Sequence, residues 1–298
     1  MNHRTALGAL HIGALFFGLT GVFGKLAASA SPAIIVFGRA AFAVLALALF
    51  ASLAGPGWQR LSSQDVRRLL LGGVLLAGHW VSFFVAVKVG GVAIATLGFA
   101  SFPAFITLFE GLLFRERIRA AEWMLLGLVT AGLVLVTPSF DFADQGTIGL
   151  AWGLLSGLTF ALLALSNRRS ASGMDPMQVA CWQNVVVALV MVPFAVGQLP
   201  ALPAVDWFWL ALLGVFCTGL SHYLFVSSLT QLNARSAGLV IALEPVYAIA
   251  FAWMLFSQQP TPRMIAGAVL IVAAIVLSGL RKSPTAEADA EAVAKSQP

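Results

Sequence analysis

Long apolar runs separated by short polar segments dominate the chain. Ten runs are long enough, at about 1.5 Å rise per residue, to cross the roughly 30 Å hydrocarbon core of a bilayer as helices. They cover residues 6–28, 32–54, 67–88, 91–114, 121–137, 147–168, 176–198, 207–229, 235–256 and 262–280. Because most connections are very short, neighbouring helices should be antiparallel. The pattern predicts an all-α polytopic membrane protein with ten transmembrane helices.

The composition excludes several classes of protein. Of the 298 residues, 60% are hydrophobic and 10% are charged, whereas soluble domains have roughly 45–50% apolar and 25% charged residues. So few charged side chains cannot cover a water-soluble globule of this length. The 17 Lys and Arg residues are spread thinly between the apolar runs and form no dense patch for nucleic acid. We therefore expect the chain to be surrounded by a lipid bilayer and to bind no nucleic acid.

The basic residues near the helix ends predict the orientation, because Lys and Arg stay on the cytoplasmic side. If the N-terminus is inside, the outer segments hold only Lys88 and Arg263. The inner segments then hold thirteen basic residues: Arg4, Arg60, Arg67, Arg68, Arg115, Arg117, Arg119, Arg168, Arg169, Arg235, Arg281, Lys282 and Lys295. We expect the protein to lie in a bacterial-type inner membrane, with both termini in the cytoplasm. Residues 283–298 lack an apolar period and are predicted to be a disordered tail.

An internal repeat relates the two halves of the chain at an offset near 140 residues. The ordered matches include Gly18-Leu19-Thr20 with Gly157-Leu158-Thr159, Pro32 with Pro176, Gly73-Val74 with Gly214-Val215, and Pro103 with Pro245. Residues 1–140 and 141–282 are therefore predicted to be two five-helix repeats. Because five is an odd number, the second repeat is inverted in the membrane. Such repeats can exchange conformations around a midplane site, although a duplicated bundle without transport is the alternative.

Specific residues connect this architecture to a known family. Pro103 and Pro245 lie in the middle of the fourth and ninth runs, and Glu116 closes the fourth run before a Gly-rich fifth. With the ten short spans in a five-plus-five repeat, the chain resembles the EamA-type branch of the drug/metabolite transporter superfamily over about residues 5–281. Gln258 stands where the second repeat of that family usually has Glu. The resemblance implies a secondary carrier that exports small metabolites, and a narrower similarity is to YddG-like aromatic amino-acid exporters.

Polar side chains inside apolar runs are candidate site residues, since they are costly in hydrocarbon unless they face a cavity or a partner. His79 and Trp80 lie near the middle of the third run, with Phe83 one turn from His79 on the same face. An imidazole can hold a carboxylate or carry a proton. A histidine bonded to a carbonyl of a neighbouring helix is the alternative.

The second half of the chain holds a further set of candidates. His222 lies in the eighth run, and Gln183 occupies the place in the seventh run that matches Arg39 in the second. Glu244 precedes the kink expected at Pro245, where it could bind a substrate ammonium or cycle a proton. Tyr247 follows at i+3 and should be reached by the same ligand.

An amino acid is the substrate that best fits these groups. His79 and Glu244 would meet its two charges, and Trp80, Phe83, Phe99 and Tyr247 could stack an apolar side chain. His79 and Glu244 are also the candidates for proton coupling. Another metabolite or a cationic drug is the alternative substrate, and a channel or an intramembrane enzyme is the alternative class. Adjacent residues on a helix point about 100° apart, so Ser221 and His222 cannot serve each other as nucleophile and base.

No cofactor or metal is expected, and several residues remain ambiguous. Cys181 and Cys217 lie in apolar runs without a CxxC partner and are predicted to be small core residues. Arg39 is equally compatible with anchoring a helix end and with binding an anion, whereas Lys25, at the outer end of the first run, is expected to be an interface anchor rather than a functional residue. Gly149, Gly153 and Gly157 form a small-residue face that permits a tight helix crossing, either inside the bundle or between two chains. The oligomeric state therefore stays open.

Overall fold

The computed structural model describes residues 3–54, 58–114, 120–139, 141–170, 174–228, 240 and 243–279. Its elements are α1 (His3–Leu26), α2 (Pro32–Ala54), α3 (Ser63–Gly90), α4 (Val92–Phe99), α5 (Phe102–Phe114), α6 (Ala120–Val136), α7 (Gln145–Ser170), α8 (Pro176–Ala195), a 3₁₀ turn (Val196–Ala201), α9 (Ala204–Gly214), a π-helical segment (Val215–Leu220), α10 (Ser221–Ser228), α11 (Glu244–Phe256) and α12 (Pro262–Gly279). Predictions for Glu116, for Arg235 and for the tail 283–298 lie outside the described residues.

Seven helical stretches in the described part of the chain are long and apolar enough to cross a membrane. Three more apolar helices are shorter, namely Ala120–Val136, Glu244–Phe256 and Pro262–Leu277. Helices lie within all ten predicted runs, and the predicted boundary between the repeats falls between α6 and α7. The all-α membrane architecture is therefore confirmed, whereas the count of ten crossings stays a prediction.

The fourth predicted span is interrupted instead of continuous. α4 ends at Phe99, and α5 begins at Phe102 after a turn at Ala100 and Ser101. In this turn the carbonyl of Gly98 accepts from both the backbone N–H of Ser101, at 3.2 Å, and its hydroxyl, at 2.7 Å. Pro103 therefore lies in the first turn of a new helix, where its missing N–H costs nothing.

The second repeat shows the same feature at Pro245. This proline follows Glu244 in the first turn of α11, while most of the preceding stretch lies outside the described residues. Pro245, where a kink was expected, lies in the first turn of α11, as Pro103 does in α5, and residues 241 and 242 before it lie outside the described part of the chain. Each proline begins a helix, because a residue without a backbone donor is best tolerated there.

The packing between the two halves of the chain is symmetric. α1 packs against α10 and α11, and α7, its predicted counterpart, packs against α3 and α5, the counterparts of α10 and α11. α2 packs against its counterpart α8, and α6 against its counterpart α12. Exchanging each helix with its counterpart leaves this set of contacts unchanged.

Glycines permit the closest of these crossings. A Cβ atom added to Gly149 of α7 would lie 2.7 Å from the backbone nitrogen of Gly90, and one added to Gly153 would lie 3.1 Å from the Cα of Gly98. A Cβ atom at Gly157 would meet the hydroxyl of Ser101 at 2.7 Å. The small-residue face of α7 therefore packs inside the bundle, against the end of α3 and against α4.

Polar contacts fasten one end of the bundle, which we call the Asp206 end. The backbone N–H of Ser29 donates to Oδ2 of Asp206 at 2.9 Å. The ammonium of Lys88 donates to the carbonyl of Ala27 at 2.8 Å. At the opposite end, which we call the Gln178 end, Gln178 and Gln59 exchange two hydrogen bonds of 2.8 and 3.0 Å.

Candidate functional site

A cavity of about 470 Å³ lies between the two halves of the bundle. Its volume falls within the roughly 300–1,000 Å³ range of small-molecule sites. Seven of the eight residues proposed from the sequence line it: His79, Trp80, Phe83, Phe99, Gln183, His222 and Glu244. The cavity therefore brings together groups from α3, α4, α8, α10 and α11.

Tyr247 is the exception. It packs against α1, where a Cβ atom added to Gly18 would lie 2.6 Å from the Cβ of Tyr247, and it contacts the apolar cluster that includes Leu10 and Val240. It is not among the residues that line the cavity. Although residues at i and i+3 are neighbours on a helix face, the side chain of Tyr247 lies against α1 and does not line the cavity with Glu244 in this conformation.

His79 is held by α7 on one side of the cavity. Its Nδ1 lies 2.8 Å from the hydroxyl and 3.2 Å from the carbonyl oxygen of Ser156. Because a carbonyl oxygen only accepts, Nδ1 carries the proton in the neutral imidazole, which leaves Nε2 as an acceptor. This histidine therefore bonds a carbonyl of the neighbouring helix and also lines the cavity.

Aromatic rings form an apolar wall around His79. The rings of Phe99 and Phe160 each lie 5.0 Å from the imidazole, between centroids. Phe102 stacks on Phe99 at 5.2 Å and meets Phe160 edge-on at 5.0 Å. Phe102 and Phe160 were not among the sequence candidates. The signal for Phe160 was its position directly after the repeated Gly-Leu-Thr.

Arg39 lies in the cavity wall and is only 4% exposed. Its Nε donates to the hydroxyl of Thr218 at 2.9 Å, and its Cζ lies 3.9 Å from the centroid of the Trp80 ring. A cation over an indole face is stabilised by the ring quadrupole. Lys25, by contrast, lies 4.7 Å above the ring of Phe256 near the Asp206 end and does not line the cavity. The two basic residues thus have different surroundings.

The π-helical segment explains why Thr218 reaches Arg39. Gly214 packs directly on α2, where an added Cβ atom would lie 2.6 Å from the carbonyl oxygen of Arg39. The widened turn that follows lets Thr218 bond the carbonyl of Leu213, five residues earlier, at 3.2 Å. π-Bulges of this kind occur frequently at functional sites. The apolar run of residues 207–229 gave no signal for this interruption.

Glu244 and two amides complete the polar part of the cavity. Glu244 is partly buried, and its carboxylate interacts electrostatically with Arg39. The side chain of Gln183 donates to Oδ1 of Asn167 at 2.8 Å. Asn184 donates to the carbonyl of Ala180 at 2.9 Å. The cavity therefore contains a cation and an anion within electrostatic reach of each other.

The remaining residues with reactive or metal-binding side chains show no arrangement for catalysis among the described residues. The hydroxyl of Ser221 donates to the carbonyl of Phe216 at 2.7 Å. Cys181 and Cys217 are buried free thiols. Within the described part of the chain, no group of three or more His, Cys, Asp or Glu side chains is arranged to hold a metal ion.

Comparisons with known proteins identify the family. The sequence profile of the EamA-like transporter family matches twice, over residues 4–137 and 147–280. The pseudopaline exporter CntI of Pseudomonas aeruginosa strain UCBPP-PA14 is 31% identical over 265 residues, which cover 87% of this chain and 90% of that protein. The threonine/homoserine exporter RhtA of Escherichia coli K12 is 26% identical over 231 residues, with coverages of 76% and 75%.

A solved crystal structure shares the fold. It superposes with a TM-score of 0.63 at 18% sequence identity, over 92% of this chain and 96% of the other. With two family matches and seven long apolar helices, the chain is a multi-pass membrane protein of the EamA-like transporter family.

Proposed function

We propose that the protein is a secondary carrier that exports small amino-acid-like metabolites across the cytoplasmic membrane by alternating access. Two relatives are named as exporters, CntI of pseudopaline and RhtA of threonine and homoserine. Threonine and homoserine are α-amino acids. The observation that carries the proposal is the central cavity, in which polar groups from both halves of the chain face an aromatic wall. A site of this composition suits a molecule with charged and apolar parts.

The symmetric packing supports alternating access. In a chain with inverted repeats, the two halves can exchange shapes and so open a shared cavity to the opposite side. The lining residues reach towards the Gln178 end, since Ala180 lies one turn from the start of α8 and Asn167 one turn from the end of α7. With the orientation predicted from the basic residues, that end is cytoplasmic. This conformation would load substrate from inside.

The residues that line the cavity also favour some of the candidate substrates over others. Arg39 in the wall disfavours a purely cationic drug, because like charges repel in a site of low dielectric. The Phe99, Phe102 and Phe160 rings favour a substrate with an apolar portion. Aromatic amino acids, as in YddG-like exporters, are the narrowest version of the proposal. Threonine and other small neutral amino acids are the broader one.

Counterflow in liposomes tests the proposal. Purified protein is reconstituted into vesicles loaded with each of the twenty unlabelled amino acids, and uptake of the same labelled amino acid is followed. We expect saturable exchange for at least one of them, which also separates a carrier from a channel. Absence of exchange across the panel, with protein shown to be folded by its thermal unfolding, would contradict the proposal.

A matched pair of variants connects the flux to the cavity. Phe160→Ala removes part of the aromatic wall, and we expect KM to rise by about tenfold for an amino acid with a large side chain. Phe194→Ala makes the same chemical change on a side chain that is 61% exposed on the outside of the bundle. This control should transport as the wild-type protein does. Equal kinetic effects in the two variants would argue against transport through the cavity.

A further inference from the structure

Arg39 has an unused donor inside the bundle. Among the described residues, its Nη1 has no hydrogen-bond partner, although the atom is shielded from solvent. A cation within a membrane-spanning helix is costly, and such residues normally serve a pathway or a binding site. Thr218 and Trp80 account for Nε and for the face of the guanidinium. A ligand that accepts a hydrogen bond from Nη1 would supply the missing partner.

Asn184 has an unused acceptor in the wall of the same cavity. Its Oδ1 is buried and has no partner among the described residues, while its Nδ2 is already bonded to Ala180. The side chain is 3% exposed. Leaving a buried polar atom unpaired is destabilising. The unused donor of Arg39 and the unused acceptor of Asn184 therefore predict a ligand that carries both an acceptor and a donor.

His79 does not take the role of the carboxylate-binding group. Its Nδ1–H is directed to Ser156, so Nε2 of the neutral ring offers a lone pair and not a proton. A carboxylate has only acceptor atoms and cannot bond that nitrogen. Arg39 offers a permanent charge and a planar set of donors, which match a carboxylate. The group that binds a carboxylate therefore comes from α2 instead of α3.

We propose that Arg39 binds the carboxylate, and Glu244 with Asn184 binds the ammonium group, of a zwitterionic α-amino acid in the cavity. This assignment rests on the proposed export function and names its substrate class. The two charges of the ligand then lie between opposite charges of the protein, and the aromatic wall contacts its side chain. The hydrogen bond from Nε to Thr218 holds the guanidinium over Trp80 and positions it.

Ligands that lack one charge test this assignment on the wild-type protein. Binding in detergent is measured by titration calorimetry for L-phenylalanine, 2-phenylethylamine and 3-phenylpropionate. The same is done for L-threonine, 1-amino-2-propanol and 3-hydroxybutyrate. Within at least one set, we expect the amino acid to bind at least about tenfold more tightly than the analogues that lack the carboxylate or the ammonium, because each loses a hydrogen bond to a charged group.

Variants of Arg39 and Glu244 should give opposite patterns. Arg39→Gln should weaken binding of the amino acid by about 10- to 100-fold and should not weaken binding of the amine, which no longer meets a like charge. Glu244→Gln should weaken the amino acid and the amine and leave the carboxylate analogue unchanged. Arg39→Lys, which keeps the charge, should recover part of the affinity if Arg39→Gln fails to fold. Leu45→Ala, on the same helix with a 65% exposed side chain, is the control.

The possible failures are distinguishable. If the wild-type protein binds none of the six compounds, the assignment is wrong for these substrates, and counterflow across the twenty amino acids decides separately whether the export function stands. If it binds an amino acid and Arg39→Gln weakens amine and amino acid equally, or neither, only the assignment is wrong. Equal wild-type affinities for the three members of a set would likewise overturn the assignment and leave the export function standing.

Discussion

The crossing of α7 over the end of α3 allows a sharp prediction about stability. A Cβ atom at Gly149 would lie 2.7 Å from the backbone nitrogen of Gly90, about 0.7 Å closer than an ordinary contact. The atom it meets is backbone, so no flexible side chain can move aside. Gly149→Ala should therefore separate the two helices and destabilise the protein by about 1–3 kcal/mol, the usual cost of overpacking. The apparent midpoint of thermal unfolding should fall by roughly 2–10 °C.

Gly127→Ala is the matched control for this variant. Gly127 lies in α6, and no atom lies within 4 Å of the position where its Cβ would be. Replacing a helical glycine by alanine at an unobstructed site is neutral or stabilising by about 0.5–1 kcal/mol. Both variants are measured in the same detergent by fluorescence-monitored unfolding. If the two midpoints shift equally, or Gly149→Ala does not shift, the close packing of α7 against α3 is refuted.

Three further predictions concern the Asp206 end and the cavity. Asp206→Ala removes the acceptor for the Ser29 N–H, a hydrogen bond to a charged group of about 1.5–3 kcal/mol. This variant should raise the rate of thiol labelling of the cavity from the Asp206 end by about tenfold or more, whereas Asp206→Asn should not. Equal labelling of the two variants would contradict a role of this hydrogen bond in closing the Asp206 end. Ser156→Ala should raise KM by about two- to fivefold, since the carbonyl bond to His79 remains; a complete loss of transport would contradict that. Glu244→Gln should abolish stimulation of export by an imposed proton gradient while slow counterflow persists; an unchanged response would remove Glu244 from coupling.

The positions of the helices and most of the cavity residues could be predicted from the sequence. The boundaries of α2 coincide with the predicted run of 32–54, because hydrophobic length alone determines a membrane-spanning helix. His79, Gln183 and Glu244 all line the cavity. They were found because a polar group in an apolar run is costly unless a cavity receives it.

Features that depend on helix rotation could not be predicted in this way. Tyr247 faces α1, and Phe160 faces the cavity, although both lie in uniformly apolar sequence. In a chain whose lipid-facing and core positions are both apolar, the hydrophobic pattern does not tell one face from another. Arg39 remained ambiguous for a related reason, because a long side chain can reach either the helix end or the interior.

Local interruptions of the helices could not be predicted from the sequence either. Pro103 lies in the middle of a continuous apolar run, and no feature of the sequence indicated the turn at Ala100 and Ser101 that precedes it. The π-helical segment Val215–Leu220 contains no proline. It results from tertiary packing of Gly214 on α2, which residue preferences along one helix do not describe.

Measuring access to the cavity from each side of the membrane tests most directly whether one cavity opens alternately to the two sides. Ala164 lines the cavity, and Ala164→Cys is introduced after Cys181 and Cys217 are replaced by alanine. A membrane-impermeant thiol reagent is then applied from one side at a time, in right-side-out and inside-out vesicles. Alternating access predicts labelling from both sides, slowed in each case by a transported amino acid. Labelling from one side only, whatever substrate gradient is imposed, would contradict a cavity that opens alternately.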